Sequence, residues 1–119
     1  MERTDLQERT ADFGRRFLRL YCRLKKRDDG AAHIGLQLLR AATSIGANYA
    51  EAIHGRSGAE FISKLKVCEG EAAESAFWID QIIHAKYFPK ERLSDLHSEA
   101  LQLVAIFCAS ANTHKQNHS

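Results

Sequence analysis

The sequence predicts an all-α fold, an antiparallel up-down-up-down four-helix bundle forming one domain over residues 1–119. Three observations predict it. A single proline, Pro89, stands in a chain that is 45% hydrophobic, so little interrupts long helices. Apolar residues recur with a helical period in four segments, about 5–27, 30–54, 58–87 and 90–112. Breakers separate the segments: Asp28-Asp29-Gly30, His54-Gly55-Arg56-Ser57 and Phe88-Pro89. Four amphipathic helices with short connections bury their stripes most simply against one another.

The first helix should begin near Thr4 or Asp5 and run unbroken to Arg27, with Phe13, Phe17, Leu20 and Leu24 on one face. Its other face is basic. Arg15, Arg19, Arg23 and Lys26 form a ridge, flanked by Arg16 and Lys25 and ended by Arg27. Residues 1–27 carry nine Lys and Arg against four Asp and Glu, a charge of +5, whereas residues 28–119 carry eight against eleven, or −3. The whole-chain +2 hides a localised positive field of the kind that attracts phosphates. A solvated face, or one meeting the acidic face of the third helix, is the plainer alternative.

Asp29 is a suitable N-cap for the second helix, whose core stripe is Ile34, Leu38, Ile45, Tyr49 and Ala52. A second face of apolar and small residues, Leu36, Leu39, Thr43, Gly46 and Ala50, lies well round from the first. A helix apolar on two sides is buried on two sides, so the surplus face predicts self-association. Gly46 marks a close helix approach, either between subunits or inside one. The remaining polar stripe is narrow: Gln37, Arg40, Ser44, Asn48 and Glu51.

The hairpin that follows is clearly written. Gly55 can supply a left-handed residue to end the second helix, and Ser57-Gly58-Ala59-Glu60 has the spacing of a capping box for the third. That helix should carry Phe61, Leu65, Cys68, Ala72, Ile79 and Ile83 inward, leaving Val67, Trp78 and Ile82 off the stripe as interface anchors, with packing under a loop the alternative for Trp78. Glu71 and Glu74 should receive hydrogen bonds from Arg40, Ser44 or Asn48 across the hairpin, a structural polar network that also takes in Glu51. Pro89 suits the first turn of the fourth helix, with Leu93, Leu96, Ala100, Leu103, Val104, Phe107 and Ala111 as its seam. The polar tail from Thr113 to Ser119 should fray.

The chemistry these residues could carry is limited. Cys22, Cys68 and Cys108 lie far apart with no C-x-x-C pair, which points to small buried thiols in a reducing compartment rather than disulfides or a zinc knuckle. Glu51-Ala52-Ile53-His54 fits half of a di-iron pattern, but no other histidine has a glutamate three residues before it. Neither a G-x-S-x-G elbow, a phosphate-binding glycine loop nor H-E-x-x-H occurs. No catalytic residue, metal or cofactor is expected. The N-terminus lacks the apolar core of a signal peptide and no apolar run suits a membrane span, so the expected location is cytoplasmic.

Two blocks carry a family resemblance. Arg40-Ala41-Ala42-Thr43-Ser44-Ile45-Gly46-Ala47-Asn48-Tyr49-Ala50-Glu51-Ala52 resembles the signature of the bacterial four-helix bundle family known as 23S rRNA intervening-sequence proteins. Glu60-Phe61-Ile62-Ser63-Lys64-Leu65 and Glu71-Ala72-Ala73-Glu74-Ser75-Ala76-Phe77-Trp78-Ile79 resemble that family's third helix. The similarity covers roughly residues 36–109, with Gly70 standing where a lysine is expected. The resemblance implies a ring-like homopentamer without enzyme activity. The family is in turn similar to the accessory protein of diversity-generating retroelements, a basic pentameric barrel that binds nucleic acid and a reverse transcriptase.

The expected function is therefore that of a non-enzymatic homo-oligomer binding RNA or DNA, or a nucleoprotein partner, through the basic face of the first helix. The alternative is a protein-interaction scaffold with a protein partner and no nucleic-acid role.

Overall fold

The computed structural model describes the backbone of residues 3–55 and 57–118 and the side chains of residues 5–55 and 57–115. Arg56 in the predicted hairpin loop and Ser119 at the end of the predicted tail lie outside the described residues. Five helices follow in order: α1 Arg3–Arg15, α2 Leu18–Arg27, α3 Asp29–Ile53, α4 Gly58–His84 and α5 Lys90–His118. α1 and α2 together form the first arm of a four-helix bundle. The arm lies antiparallel along α3, with Ala11 backing on Gly46 and Leu24 on Gly35. α3 then packs on α4 and α4 on α5. Arg9 closes the circuit by a two-pronged ion pair to Glu99, Nε to Oε2 at 2.6 Å and Nη2 to Oε1 at 2.7 Å.

The predicted stripes form the core. Phe13, Phe17, Leu24, Leu38, Ile45, Leu65, Ile79, Leu103 and Phe107 are fully buried, and Tyr49 meets Phe107 ring to ring at 5.7 Å. Ser57 caps α4 by accepting from the Glu60 amide at 3.1 Å, as its spacing predicts.

Several local expectations are corrected. The first helix is interrupted at Arg16-Phe17, where the Phe17 amide donates to Gly14 O at 3.1 Å, a tighter turn than the α-helical one. No proline causes this. The break follows the point where Gly14 presses on α3, a Cβ there falling 3.1 Å from Thr43 Cα. Asp28, not Asp29, caps α3, its Oδ1 accepting from the Ala31 amide at 2.8 Å. Gly55 does not take a left-handed conformation, since no described glycine has positive φ. The left-handed residue among those described is Lys86 at φ 62°, past the end of α4, which stops three residues earlier than its apolar pattern suggests. α5 continues through the expected tail to His118, its length carrying it along most of the 48 Å long axis. Among the described residues no helix is long and apolar enough to cross a membrane.

Burial decides three further readings. Ile82 is fully buried, because α4 packs between α3 and α5 and buries a wider arc than one stripe. It cannot anchor a subunit interface. Gly46 makes its close approach inside the chain, a Cβ there lying 3.3 Å from Ala11 N, so part of the surplus face of α3 is covered by α1. Of the cysteines only Cys68 is buried; Cys22 and Cys108 are exposed, and all three are free thiols.

Candidate nucleic-acid interface

From Arg15 to Arg27 the chain has seven cations and no acidic residue. Every one of the seven is exposed, because Phe17, Leu20 and Leu24 take the inward positions of this arm. Their surroundings divide them. Arg15 reaches Asp12 at 4.0 Å, at the outer limit of an ion pair between exposed groups, which contributes little to stability. Arg16, Arg19 and Lys26 have neither hydrogen-bond nor ion-pair partners among the described residues.

The others sit on aromatic rings. Arg23 lies 5.3 Å from the Phe88 ring centre, Arg27 5.1 Å from that of Tyr87, and Lys25 6.0 Å from that of Tyr21. Arg27 also donates to the Tyr87 carbonyl at 3.3 Å, and Tyr87 OH donates to Asp28 Oδ1 at 3.4 Å. The left-handed Lys86 turns the chain out of α4 so that Tyr87 and Phe88 fall against α2. Sequence reasoning missed this corner. Its signal in the sequence is the run Lys86-Tyr87-Phe88-Pro89-Lys90, in which cations flank two aromatic residues.

The predicted subunit interface is only partly assembled. Thr43 and Ala50 are exposed, Leu36, Leu39, Gly46 and Trp78 are half-buried, and Thr43 returns its hydroxyl to Leu39 O at 2.7 Å. The small residues Ala11, Gly14, Thr43, Gly46 and Ala47, with Leu18, line a shallow groove between α3 and the first arm. On α4, Val67 and Phe77 are exposed, and Phe77 meets Trp78 edge to face at 4.9 Å. The Trp78 Nε1–H is buried and has no acceptor among the described residues.

The predicted polar network does not form as expected. Asn48 donates to Ser44 O and Ser44 Oγ, both at 2.9 Å, within its own helix. Glu51 pairs with Lys64 at 2.7 Å, and Ser75 donates to Glu71 O at 2.8 Å. Arg40 is exposed, and among the described residues no hydrogen bond or ion pair joins Glu71 or Glu74 to Arg40, Ser44 or Asn48. Side chains that reach a carbonyl or hydroxyl one turn back need no partner helix. Partial burial, reinforced by the charge of Glu74, raises the Glu71 pKa above the usual carboxylate range.

The solved structure of a protein of unknown function from the S23 ribosomal protein family of Bacteroides thetaiotaomicron VPI-5482 is similar to this chain. The two share 26% identity at a TM-score of 0.85, over 94% of this chain and 99% of the other. No curated protein matches the sequence. The profile of the 23S rRNA-intervening sequence proteins matches residues 2–109, nearly the whole bundle, and the chain belongs to that family.

Proposed function

We propose that this protein is a non-enzymatic homo-oligomeric bundle that binds nucleic acid, alone or in a nucleoprotein partner, through the basic face running from Arg15 to Arg27. The observation that carries the reading is the exposure of seven cations in thirteen residues with no carboxylate among them. Such a surface is made for phosphates, which impose a charge requirement and little sequence requirement. Assembly multiplies it, since each copy brings a further ridge at high effective concentration. The exposed Val67 and Phe77 support a covering subunit on α4.

The test is binding of labelled RNA and duplex DNA across a salt series, with Arg15→Glu, Arg19→Glu and Arg23→Glu combined in a protein that still assembles. Affinity should fall steeply with salt and collapse in the variant. Unchanged affinity in the assembled variant would defeat the proposal.

A second reading rests on Val67, Phe77 and Trp78: a scaffold that presents this aromatic patch to a protein partner and has no nucleic-acid role. Capture of one partner, insensitive to nuclease and salt, would favour it.

A further inference from the structure

We infer that the nucleic acid taken by the basic face is single-stranded, and that the corner Lys86-Tyr87-Phe88 is part of its binding site. This rests on the reading that the face binds nucleic acid, and makes it more specific.

A duplex needs only a surface that follows its phosphates, because its bases are stacked away inside. A single strand also offers base faces, which stack on aromatic rings and on guanidinium planes. The corner of α2 and the α4–α5 connection provides both kinds of plane beside free cations. Arg23 lies over Phe88 at 5.3 Å and Arg27 over Tyr87 at 5.1 Å, while Phe88 and Tyr87 are only half-buried. A guanidinium lying on one ring is held in position and keeps its other face for a base, at little further cost in side-chain freedom. The exposed Lys26 supplies an unpaired cation on the same helix.

Lys86 points the same way. It holds the left-handed conformation in which glycine would be unstrained, and so places an exposed cation at this turn. Tyr87 is fixed from three sides, by the Arg27 guanidinium, by Asp28 and by Gly30, where a Cβ would stand 3.1 Å from the tyrosine hydroxyl. The platform is therefore set before a strand arrives, which lowers the ordering cost of binding.

The test compares a labelled single-stranded RNA with the duplex of the same length, at one salt concentration, for the wild-type chain and two variants. In the first, Tyr87→Leu and Phe88→Leu keep apolar volume and remove the rings. The single strand should bind about tenfold more weakly and the duplex unchanged, as expected for lost base stacking. In the second, Lys86→Ala touches no buried group, and the salt slope for the single strand should fall by about one phosphate contact. Thermal melts confirm that both variants fold. Equal losses for single strand and duplex in the leucine variant, or an unchanged single-strand affinity and salt slope in both variants, overturn the inference while leaving the basic face intact. Absence of any binding by the wild-type chain at low salt overturns the parent reading as well.

Discussion

Gly14→Ala and Gly70→Ala are the same substitution with opposite predicted outcomes. No described glycine has positive φ, so alanine meets no backbone obstacle at either place and only the available space decides. At Gly14 a Cβ would lie 3.1 Å from Thr43 Cα and 3.2 Å from Ala42 O, both backbone atoms that cannot rotate aside. Restoring an ordinary carbon contact of about 3.5–4.0 Å requires α1 to move off α3 by roughly half an ångström. That shift loosens Phe13 and Thr10, both fully buried, at a cost of about 1–3 kcal/mol. The gain in helix propensity is about 1 kcal/mol at most, and less this close to the end of α1.

At Gly70 nothing lies within 4 Å of the added carbon, so only the propensity gain remains. With an unfolding entropy of about 2.1 cal/mol/K per residue over 119 residues, each kcal/mol moves Tm by about 4 °C. Gly14→Ala should lower Tm by about 4–8 °C and Gly70→Ala should raise it by about 2–4 °C. Calorimetry at one protein concentration checks both, since an oligomer's Tm depends on concentration. A stabilising Gly14→Ala would refute the close packing of α1 on α3.

Two further outcomes follow from ionisable groups that burial shifts. Because the folded state holds the Glu71 pKa above its unfolded value, the ionised carboxylate opposes folding, and stability is lost as pH rises through the folded pKa. Glu71→Gln should therefore raise Tm at pH 7.5, with the gain vanishing below the unfolded carboxylate pKa; thermal melts over that range decide it. Burial pushes the Cys68 thiol up to about 12, whereas Cys22 and Cys108 are exposed. A thiol-reactive chromophore at pH 8 should modify two cysteines of the native protein quickly and the third only on unfolding.

The bundle was legible in the sequence because its information is periodic and local. Phe13, Phe17, Leu20 and Leu24, or Leu93 through Ala111, repeat at the helical spacing, and the capping serine Ser57 sits three residues before Glu60. The features that were not legible depend on what lies across the interface. Nothing in the first arm's pattern announces the break at Arg16-Phe17, since Phe17 stays in the apolar stripe on both sides of it. Ile82 looked free because one stripe was drawn on a helix that has two packed neighbours. The surplus face of α3 looked free for another copy, yet Gly46 and Thr43 already receive Ala11 and Gly14 of the same chain. The basic face was readable from charge alone. Its aromatic companions Tyr87 and Phe88 come from the α4–α5 connection, sixty or more residues further on, and only the fold brings them together.

Nucleic-acid binding by an assembled bundle is measured directly by anisotropy of a labelled single-stranded RNA across a salt series, with the particle mass followed by light scattering in the same samples. The expected result is an assembly larger than one chain whose affinity falls linearly in log–log form with salt, and which loses that affinity when Arg15, Arg19 and Arg23 become glutamate without losing mass. An assembled protein that ignores the RNA at low salt, or binds it equally well after the three reversals, would contradict it.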